Sequence, residues 1–158
     1  MRVADVMTKD VKVCGPETNL AEAAMMMWDA DCGVLPVVDE DGRVLAMITD
    51  RDIAIAAVTQ GRPAYQIAVR EAMSRNVTSA GLDDDVAAAL KTMRHDKIRR
   101  LPVVDADGRL KGIMTINDIV CRAEEPHGKH LPEISYEDAM STIKAICEHL
   151  PHQMVAKA

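Results

Sequence analysis

The sequence predicts an α+β fold in which a β-α-β-β-α unit occurs twice, as one pseudo-two-fold module followed by a C-terminal amphipathic helix. The first observation behind this prediction is a repeat, because Met7–Ile53 matches Met73–Ile119 at a constant offset of 66 residues without a gap. The second is that each copy has a helical apolar pattern followed by two apolar runs joined through an Asp-Gly turn. A repeated unit of this kind usually cannot bury its apolar face alone. We therefore expect the copies to pack together, with any site near the seam between them.

Each repeat is expected to begin with a short strand and a helix. In the first repeat, Val11–Val13 alternates apolar and polar side chains, as a short strand does. Asn19 then precedes Glu22 by three residues, which is the capping-box pattern that begins a helix. Apolar residues follow at helical spacing in both copies: Leu20, Ala23, Ala24 and Met27, then Val86, Ala89, Leu90 and Met93.

A hairpin and a second helix complete the unit. The apolar runs Val34–Val38 and Val44–Ile48 are separated by a segment that contains Asp41-Gly42, and Asp-Gly between two such runs is a strong hairpin signal. Prolines at the centre of the first run in each copy predict a sheet edge or a distortion there. The apolar segment Ile53–Val58 predicts the second helix.

These elements divide the chain into four parts. Residues 1–58 are the first repeat, 59–68 a linker, 69–123 the second repeat, and 124–158 a loop with a C-terminal helical extension. The extension is predicted to contain a helix over Ser135–Leu150, because its apolar residues recur at helical spacing. That stripe consists of Tyr136, Ala139, Met140, Ile143, Ile146, Cys147 and Leu150.

Composition restricts the classes of function. The chain has 158 residues and a net charge of −6, which argues against nucleic acid as a partner, because phosphate contacts need a concentrated basic surface. No stretch is long and apolar enough to cross a bilayer and no signal-peptide pattern is present, so we expect a cytoplasmic protein without a membrane partner. The four cysteines are widely separated and are expected to be reduced thiols.

Neither an enzyme nor a metal protein is expected. The sequence contains no G-x-S-x-G, P-loop or G-x-G-x-x-G motif, and no nucleophile–base pair can be named in it. No catalytic residue and no required cofactor are therefore predicted. The histidines near the C-terminus lack the helix or cysteine context of a specific metal site: His127, His130, His149 and His152.

The order and spacing of these motifs resemble the CBS domain, a family named after cystathionine β-synthase. The shared features are the repeated unit, the L-P-V-V-D segment, the Asp-Gly hairpin and a Thr-x-x-Asp before a helix, over roughly residues 3–123. The resemblance implies a complete pair of CBS domains with clefts for an adenosine-containing ligand: AMP, ADP, ATP, S-adenosylmethionine or NAD. It also implies a regulatory module that senses this ligand for an associated protein and is not a catalyst.

By this resemblance, each cleft combines the two repeats and contains the ribose-binding signature G-h-x-T-x-x-D. Gly112–Asp118 matches the signature in full, whereas Ala46–Asp52 has alanine in place of glycine, an exchange that could narrow backbone access. One cleft, named here the Asp118 cleft, would contain Thr8, Lys12, Cys32, Gly33, Thr115, Asn117 and Asp118. The other, the Asp52 cleft, would contain Thr49, Arg51, Asp52, Ser74, Thr78, Ile98 and Arg99.

The chemistry of these residue types suits a nucleotide. A carboxylate such as that of Asp52 can accept hydrogen bonds from both cis-hydroxyls of a ribose, and the N–H groups at a helix start favour an anion. Arg51 and Arg99 offer planar forks of donors to phosphate, so we expect a phosphorylated adenosine in the Asp52 cleft. Two alternatives stay open, since Thr-x-x-Asp is also a capping box that needs no ligand and Arg99 also suits a solvated edge. A ligand-free scaffold that docks on a partner protein is the competing function.

The helices of the first repeat are more apolar than those of the second. Met25, Met26 and Trp28 stand where the second repeat has lysine, threonine and arginine, and Ile53–Val58 contains no polar residue. We expect these helices to be covered by a second subunit, by the C-terminal helix, or by both. The family resemblance favours a homodimer through them, with an unidentified protein as the regulated target.

Overall fold

The structure is a computed structural model that describes residues 1–74, 76–127 and 131–148. The chain begins with the short helix α1 (Val3–Val6). The first repeat contains α2 (Leu20–Asp29), β1 (Val34–Val38), β2 (Val44–Thr49) and α3 (Asp50–Thr59). The second contains β3 (Ala80–Gly81), α4 (Val86–Asp96), β4 (Arg100–Val104), β5 (Leu110–Thr115) and α5 (Ile116–Arg122), and α6 (Tyr136–Cys147) follows. The predicted α+β fold with two repeated units and a C-terminal helix is confirmed.

The two hairpins have the same register. Val34 pairs with Thr49 in the first, Arg100 pairs with Thr115 in the second, and each antiparallel pair has an irregularity near the end of its first strand. Gly42 and Gly108, both at φ 78°, occupy the positive-φ positions of the two turns. The turns also bond to each other, because the Leu110 N–H donates to the Gly42 carbonyl oxygen at 3.0 Å. The pseudo-two-fold axis therefore passes between the hairpin turns.

The strand predicted over Val11–Val13 does not form. Just after this segment, Cys14 pairs with β1: its N–H donates to the Pro36 carbonyl oxygen at 3.1 Å, and its carbonyl oxygen accepts from the Val38 N–H at 2.9 Å. In the second repeat the corresponding element is the two-residue strand β3, which is parallel to β4. The residues before Cys14 instead form a wall of the Asp118 cleft.

The two halves exchange short segments. Val3 and Val6 of α1 are buried in the core of the second repeat. Ile67 and Val69, on either side of the predicted end of the linker, are buried in the core of the first. The Leu20 N–H at the start of α2 donates to the Ile67 carbonyl oxygen at 2.9 Å. The segment at the start of the first repeat therefore completes the core of the second, and the segment around the start of the second completes the core of the first. This exchange holds the two halves together.

Helix α6 packs on the second repeat. It contacts α4 and α5 and buries Ala139 and Thr142. The predicted apolar stripe is only partly right, since Tyr136 and Met140 are exposed and Leu150 lies outside the described residues. The polar Thr142 takes a buried place because its hydroxyl accepts a hydrogen bond from Arg94 at 2.8 Å.

The helices of the first repeat keep an exposed apolar face. The exposed fractions are 59% for Met25, 82% for Trp28, 50% for Ile55 and 84% for Val58. Of the two covers expected for this face, the C-terminal helix does not supply one here, because α6 packs on the second repeat. Met26, also assigned to this face, is half-buried and packs against the core of its own repeat. None of the helices in the described ranges has the length and hydropathy needed to cross a membrane.

Candidate ligand clefts between the repeats

The Asp118 cleft is a cavity of about 340 Å³ between the repeats. Its walls come from the chain before Cys14, the end of α2 with the turn that follows it, and the start of α5. Six residues predicted for this cleft line it, namely Thr8, Lys12, Cys32, Gly33, Thr115 and Asn117. The sequence analysis did not assign seven further lining residues: Asp10, Val11, Ala30, Asp31, Val34, Arg100 and Ile113.

The Asp52 cleft is the larger one, at about 570 Å³. Its walls come from the start of α3, the segment that leads to β3, the turn after α4 and the end of α6. Six predicted residues line it, namely Thr49, Arg51, Ser74, Thr78, Ile98 and Arg99. The unassigned lining residues are Val34, Met47, Asp50, Asn76, Val77, Lys97, Arg100, Pro102, Ile146 and Cys147.

The two signature aspartates stand behind the threonines and do not line the cavities. Asp52 accepts hydrogen bonds at one oxygen, Oδ2, from the Thr49 N–H at 2.9 Å and the Thr49 hydroxyl at 2.7 Å. Asp118 does the same with Thr115, at 2.8 and 2.7 Å. Both motifs are thus full capping boxes, as the ligand-free alternative requires.

The second carboxylate oxygen distinguishes the two aspartates. Oδ1 of Asp118 accepts a hydrogen bond from the Thr8 hydroxyl at 3.4 Å. Oδ1 of Asp52 has no hydrogen-bond donor among the residues that the structure describes. A capping box occupies only one oxygen, so Oδ1 of Asp52 remains an available acceptor as far as the described residues show.

Charge also separates the clefts. Lys97, Arg51, Arg99 and Arg100 line the Asp52 cleft with a single carboxylate, that of Asp50. In the Asp118 cleft, the cations Lys12 and Arg100 are matched by the carboxylates of Asp10 and Asp31. In a chain with a net charge of −6, the Asp52 cleft is thus a local concentration of positive charge suited to an anionic ligand.

Most of this charge difference comes from one short segment of each repeat. Residues 31–34 line the Asp118 cleft, and residues 97–100, which correspond to them in the repeat, line the Asp52 cleft. Asp31 and Lys97 share the left-handed conformation after the preceding helix, with φ of 48° and 55°. Lys97 and Arg100 were missed in the sequence analysis, although aligning these two segments places Lys97, Arg99 and Arg100 opposite Asp31, Gly33 and Val34. Only the first two exchanges separate the clefts, because Arg100 lines both of them.

Val34 and Arg100 lie where the two clefts meet. These equivalent residues begin the first strands of the two hairpins, and each lines both cavities. Burial lowers the pKa of the Arg100 guanidinium from its usual value, the charge of Arg99 lowers it further, and Asp50 opposes both effects. Arg100 remains a cation at neutral pH, because an arginine titrates far above that range.

The alanine in the first signature does not narrow access to a cleft. Ala46 is fully buried, and neither it nor Gly112 lines either of the two clefts. Gly112 is needed for another reason, since a Cβ there would lie 2.5 Å from the Thr8 carbonyl oxygen. The glycine allows the chain start to pair with β5, where the Ile113 N–H donates to that same oxygen at 2.9 Å.

The C-terminal histidines provide no candidate metal site within the described ranges. Three of them, His130, His149 and His152, lie outside those ranges. His127 bonds through Nδ1 to the Glu125 carbonyl oxygen at 2.7 Å. Across the described part of the chain, no group of three His, Cys, Asp or Glu residues is arranged to hold a metal ion.

The comparisons with known proteins identify the class. The family model for the CBS domain matches the chain twice, over residues 3–58 and 69–124, and the chain belongs to this family. It is similar to the CBS domain-containing protein YhcV of Bacillus subtilis (strain 168), at 36% identity over 138 residues, which cover 86% of this chain and 96% of that protein. The resemblance noted in the sequence is therefore confirmed.

Solved structures show the same pair. The CBS domain pair of protein MJ0100 in complex with 5′-methylthioadenosine and S-adenosyl-L-methionine is similar, with a TM-score of 0.69, 31% identity, and coverage of 77% of this chain and 94% of that one. The structure of CBSX2 in complex with AMP has a TM-score of 0.66 at 26% identity, covering 76% of this chain and 93% of that one. Both neighbours hold adenosine compounds.

Proposed function

We propose that this CBS-domain pair is a regulatory sensor of an adenosine-containing ligand and that the Asp52 cleft binds a phosphorylated one, such as AMP, ADP or ATP. The observation that carries the proposal is that four of the described residues lining that cleft are cations, whereas one, Asp50, is a carboxylate. The available oxygen of Asp52 supplies an acceptor for the ribose. The adenosine compounds bound to the structural neighbours support the ligand class.

The proposed role is regulatory rather than catalytic and is placed in the cytoplasm, where adenine nucleotides are available. A ligand that contacts both repeats can change their relative position only by binding one arrangement more tightly than another. The output would then pass to a separate protein, which this chain contacts through a surface outside the clefts.

The test is a thermal-shift and calorimetric titration of the full chain with ATP, AMP and S-adenosylmethionine. At a hundred times the dissociation constant, a ligand that binds only the folded state stabilises it by about 2.7 kcal/mol. We expect ATP to raise the unfolding midpoint, Asp52→Ala to abolish most of that rise, and Asp118→Ala to leave it. The titration contradicts the proposal if none of the three ligands binds.

A matched control separates ligand binding from helix capping. Asn19 caps α2 by accepting the Glu22 N–H at 2.9 Å and lines neither cleft. Asn19→Ala is expected to cost about 1 kcal/mol of stability, as the loss of a cap does, with unchanged ATP affinity. If Asp52→Ala behaves in the same way, the aspartate is only a cap.

The second candidate function is a ligand-free scaffold, which the two complete capping boxes favour. In that case the exposed apolar face of α2 and α3 would recruit a partner protein, and every nucleotide would leave the unfolding midpoint unchanged. The titration above thus distinguishes the two functions directly.

We also propose that the protein is a homodimer through α2 and α3. The equivalent face of the second repeat, formed by α4 and α5, is covered by the amphipathic helix α6. The face of the first repeat is more apolar and has no cover within the described part of the chain, with Trp28 and Val58 more than four-fifths exposed. A second copy brings the same face and would remove both residues from water.

A further inference from the structure

Helix α6 lies outside both CBS domains, yet it reaches the Asp52 cleft. Ile146 and Cys147, at its C-terminal end, line the same cavity as Thr49 and Arg99. The Asp118 cleft is lined only by residues of the two repeats, as far as the described chain shows. The C-terminal helix therefore adds a wall to one of two pseudo-equivalent clefts, and a ligand in that cleft would lie against it.

The first half of α6 is firmly anchored. Ile134 and Ala139 are buried in the core of the second repeat. The Glu124 N–H donates to the Ile134 carbonyl oxygen at 3.0 Å, which fastens the chain just before the helix. Thr142 is fully buried, and its hydroxyl accepts a hydrogen bond from Arg94 at 2.8 Å. This part of the helix belongs to the folded core.

The last part of α6 is held by less. Ile143 and Ile146 are half-buried, and Cys147 is exposed. Lys97, which itself lines the Asp52 cleft, donates from its ammonium to the Glu148 carbonyl oxygen at 2.8 Å. Segments with few buried contacts open at low free-energy cost. Lys97 thus both holds this end of the helix and lines the proposed ligand site.

We propose that the C-terminal end of α6, Ile143–Glu148, and a ligand in the Asp52 cleft stabilise each other, so that this segment reports ligand occupancy. The inference rests on the proposed function, because the ligand is the phosphorylated adenosine assigned to that cleft. A ligand that contacts the end of α6 favours the state in which this end packs on the second repeat. By reciprocity, a change that loosens the end of α6 lowers the affinity for the ligand by the same factor. No described residue of α6 lines the Asp118 cleft, so a ligand there is not expected to affect this segment.

The first test is an ATP titration of Ile146→Ser with Met140→Ser as its matched control. Ile146 lines the cleft, whereas Met140 lies on the same helix, is 57% exposed and lines neither cleft. We expect about tenfold weaker ATP binding for Ile146→Ser, within the usual range of coupling between sites, and unchanged binding for Met140→Ser. Arg94→Met removes the hydrogen bond to Thr142 and so loosens α6, although Arg94 lines neither cleft. This variant is also expected to bind ATP more weakly.

The second test is hydrogen exchange of the wild-type full chain, with and without saturating ATP. We expect the amides of residues 143–148 to gain protection with ATP, and this gain to vanish in Asp52→Ala. The result does not depend on whether any α6 variant folds.

Two failures are distinguishable. If ATP binds through Asp52 while the exchange of residues 143–148 and the affinity of Arg94→Met stay unchanged, the coupling is wrong and the proposed sensor stands. If ATP, AMP and S-adenosylmethionine all fail to bind the wild type, the proposed function fails, and the coupling fails with it.

Discussion

At the scale of single residues, the chain differentiates two clefts built on one template. The exchange of Asp31 for Lys97 and of Gly33 for Arg99 gives the Asp52 cleft a different charge from the Asp118 cleft. Asp31 and Lys97 share the same left-handed backbone conformation. Duplication followed by such exchanges is a simple route to one charged and one nearly neutral site. The electrostatic contrast between the clefts is therefore a property of side chains alone.

Gly112 allows a sharp prediction at this scale. Gly112→Ala is expected to destabilise the fold by about 1–3 kcal/mol, since a Cβ would overlap the Thr8 carbonyl oxygen and the Met7 sulfur. Urea unfolding measures the change. Displacement of Thr8 should also disturb the Asp118 cleft, which it lines.

Ala46→Gly is the matched control for Gly112→Ala. Ala46 occupies the same position of the first repeat, where the Met47 N–H bonds to the Ser74 hydroxyl at 3.1 Å. Removing its methyl group should cost roughly 0.5–1 kcal/mol, as glycine in a strand does. Equal losses for the two variants would show that the close contact with Thr8 is not what demands glycine.

At the scale of elements, α6 begins with its own capping box. Asp138 accepts hydrogen bonds from the Ser135 hydroxyl at 2.7 Å and the Ser135 N–H at 3.1 Å, and these bonds lower the pKa of its carboxyl group. A carboxylate with a lowered pKa contributes stability above its unfolded-state pKa and loses that contribution as the pH falls through its folded-state pKa. The start of α6 is therefore acid-sensitive.

Asp138→Asn tests this by removing the charge while keeping the shape. We expect the variant to be less stable than the wild type at pH 7, by less than about 1 kcal/mol because the carboxylate is largely exposed and screened. The difference should disappear as the pH falls below the ordinary range of an aspartate. Urea unfolding at a series of pH values measures the free energy of unfolding of both proteins. If the variant stays less stable than the wild type in acid, the introduced amide rather than the lost charge causes the destabilisation.

At the scale of the whole molecule, the two repeats differ in whether their pair of helices is covered. The second repeat covers its helix pair with α6, whereas the first leaves Trp28 and Val58 exposed. The two helix faces occupy equivalent places in the pseudo-symmetric module, but the face of the first repeat exposes more large apolar side chains to water. The proposed homodimer through α2 and α3 rests on this asymmetry.

Trp28→Glu is therefore expected to convert a dimer into a monomer, since a charge at the centre of a self-complementary apolar face meets its own copy across the two-fold axis. Sedimentation velocity of the wild type and the variant measures the change. Tyr65→Glu is a control, as Tyr65 is an aromatic residue that is 65% exposed and lies outside α2 and α3. A wild type that sediments as a monomer at all concentrations would refute the homodimer.

Sequence alone predicted the repeated unit, the hairpins, the start of α2 and most of the residues that line the two clefts, whereas α3 begins at Asp50 rather than at Ile53. These features are local or repeat at a fixed offset, so turn chemistry, capping and apolar periodicity encode them directly. Twelve of the fourteen predicted site residues line their cavities, and Asp52 and Asp118 stand directly behind them.

Only the tertiary structure decided what the local patterns leave open. The alternation of Val11–Val13 suits both a strand and a cleft wall, and only the contacts around it select the wall. The sequence of an amphipathic helix such as α6 shows that one side is apolar, but not which surface that side covers. The packing of α6 on the second repeat and its contribution to the Asp52 cleft could therefore not be predicted from residue spacing. The same holds for Gly112, whose need is set by the Thr8 carbonyl oxygen, more than a hundred residues away in the chain but in contact in the fold.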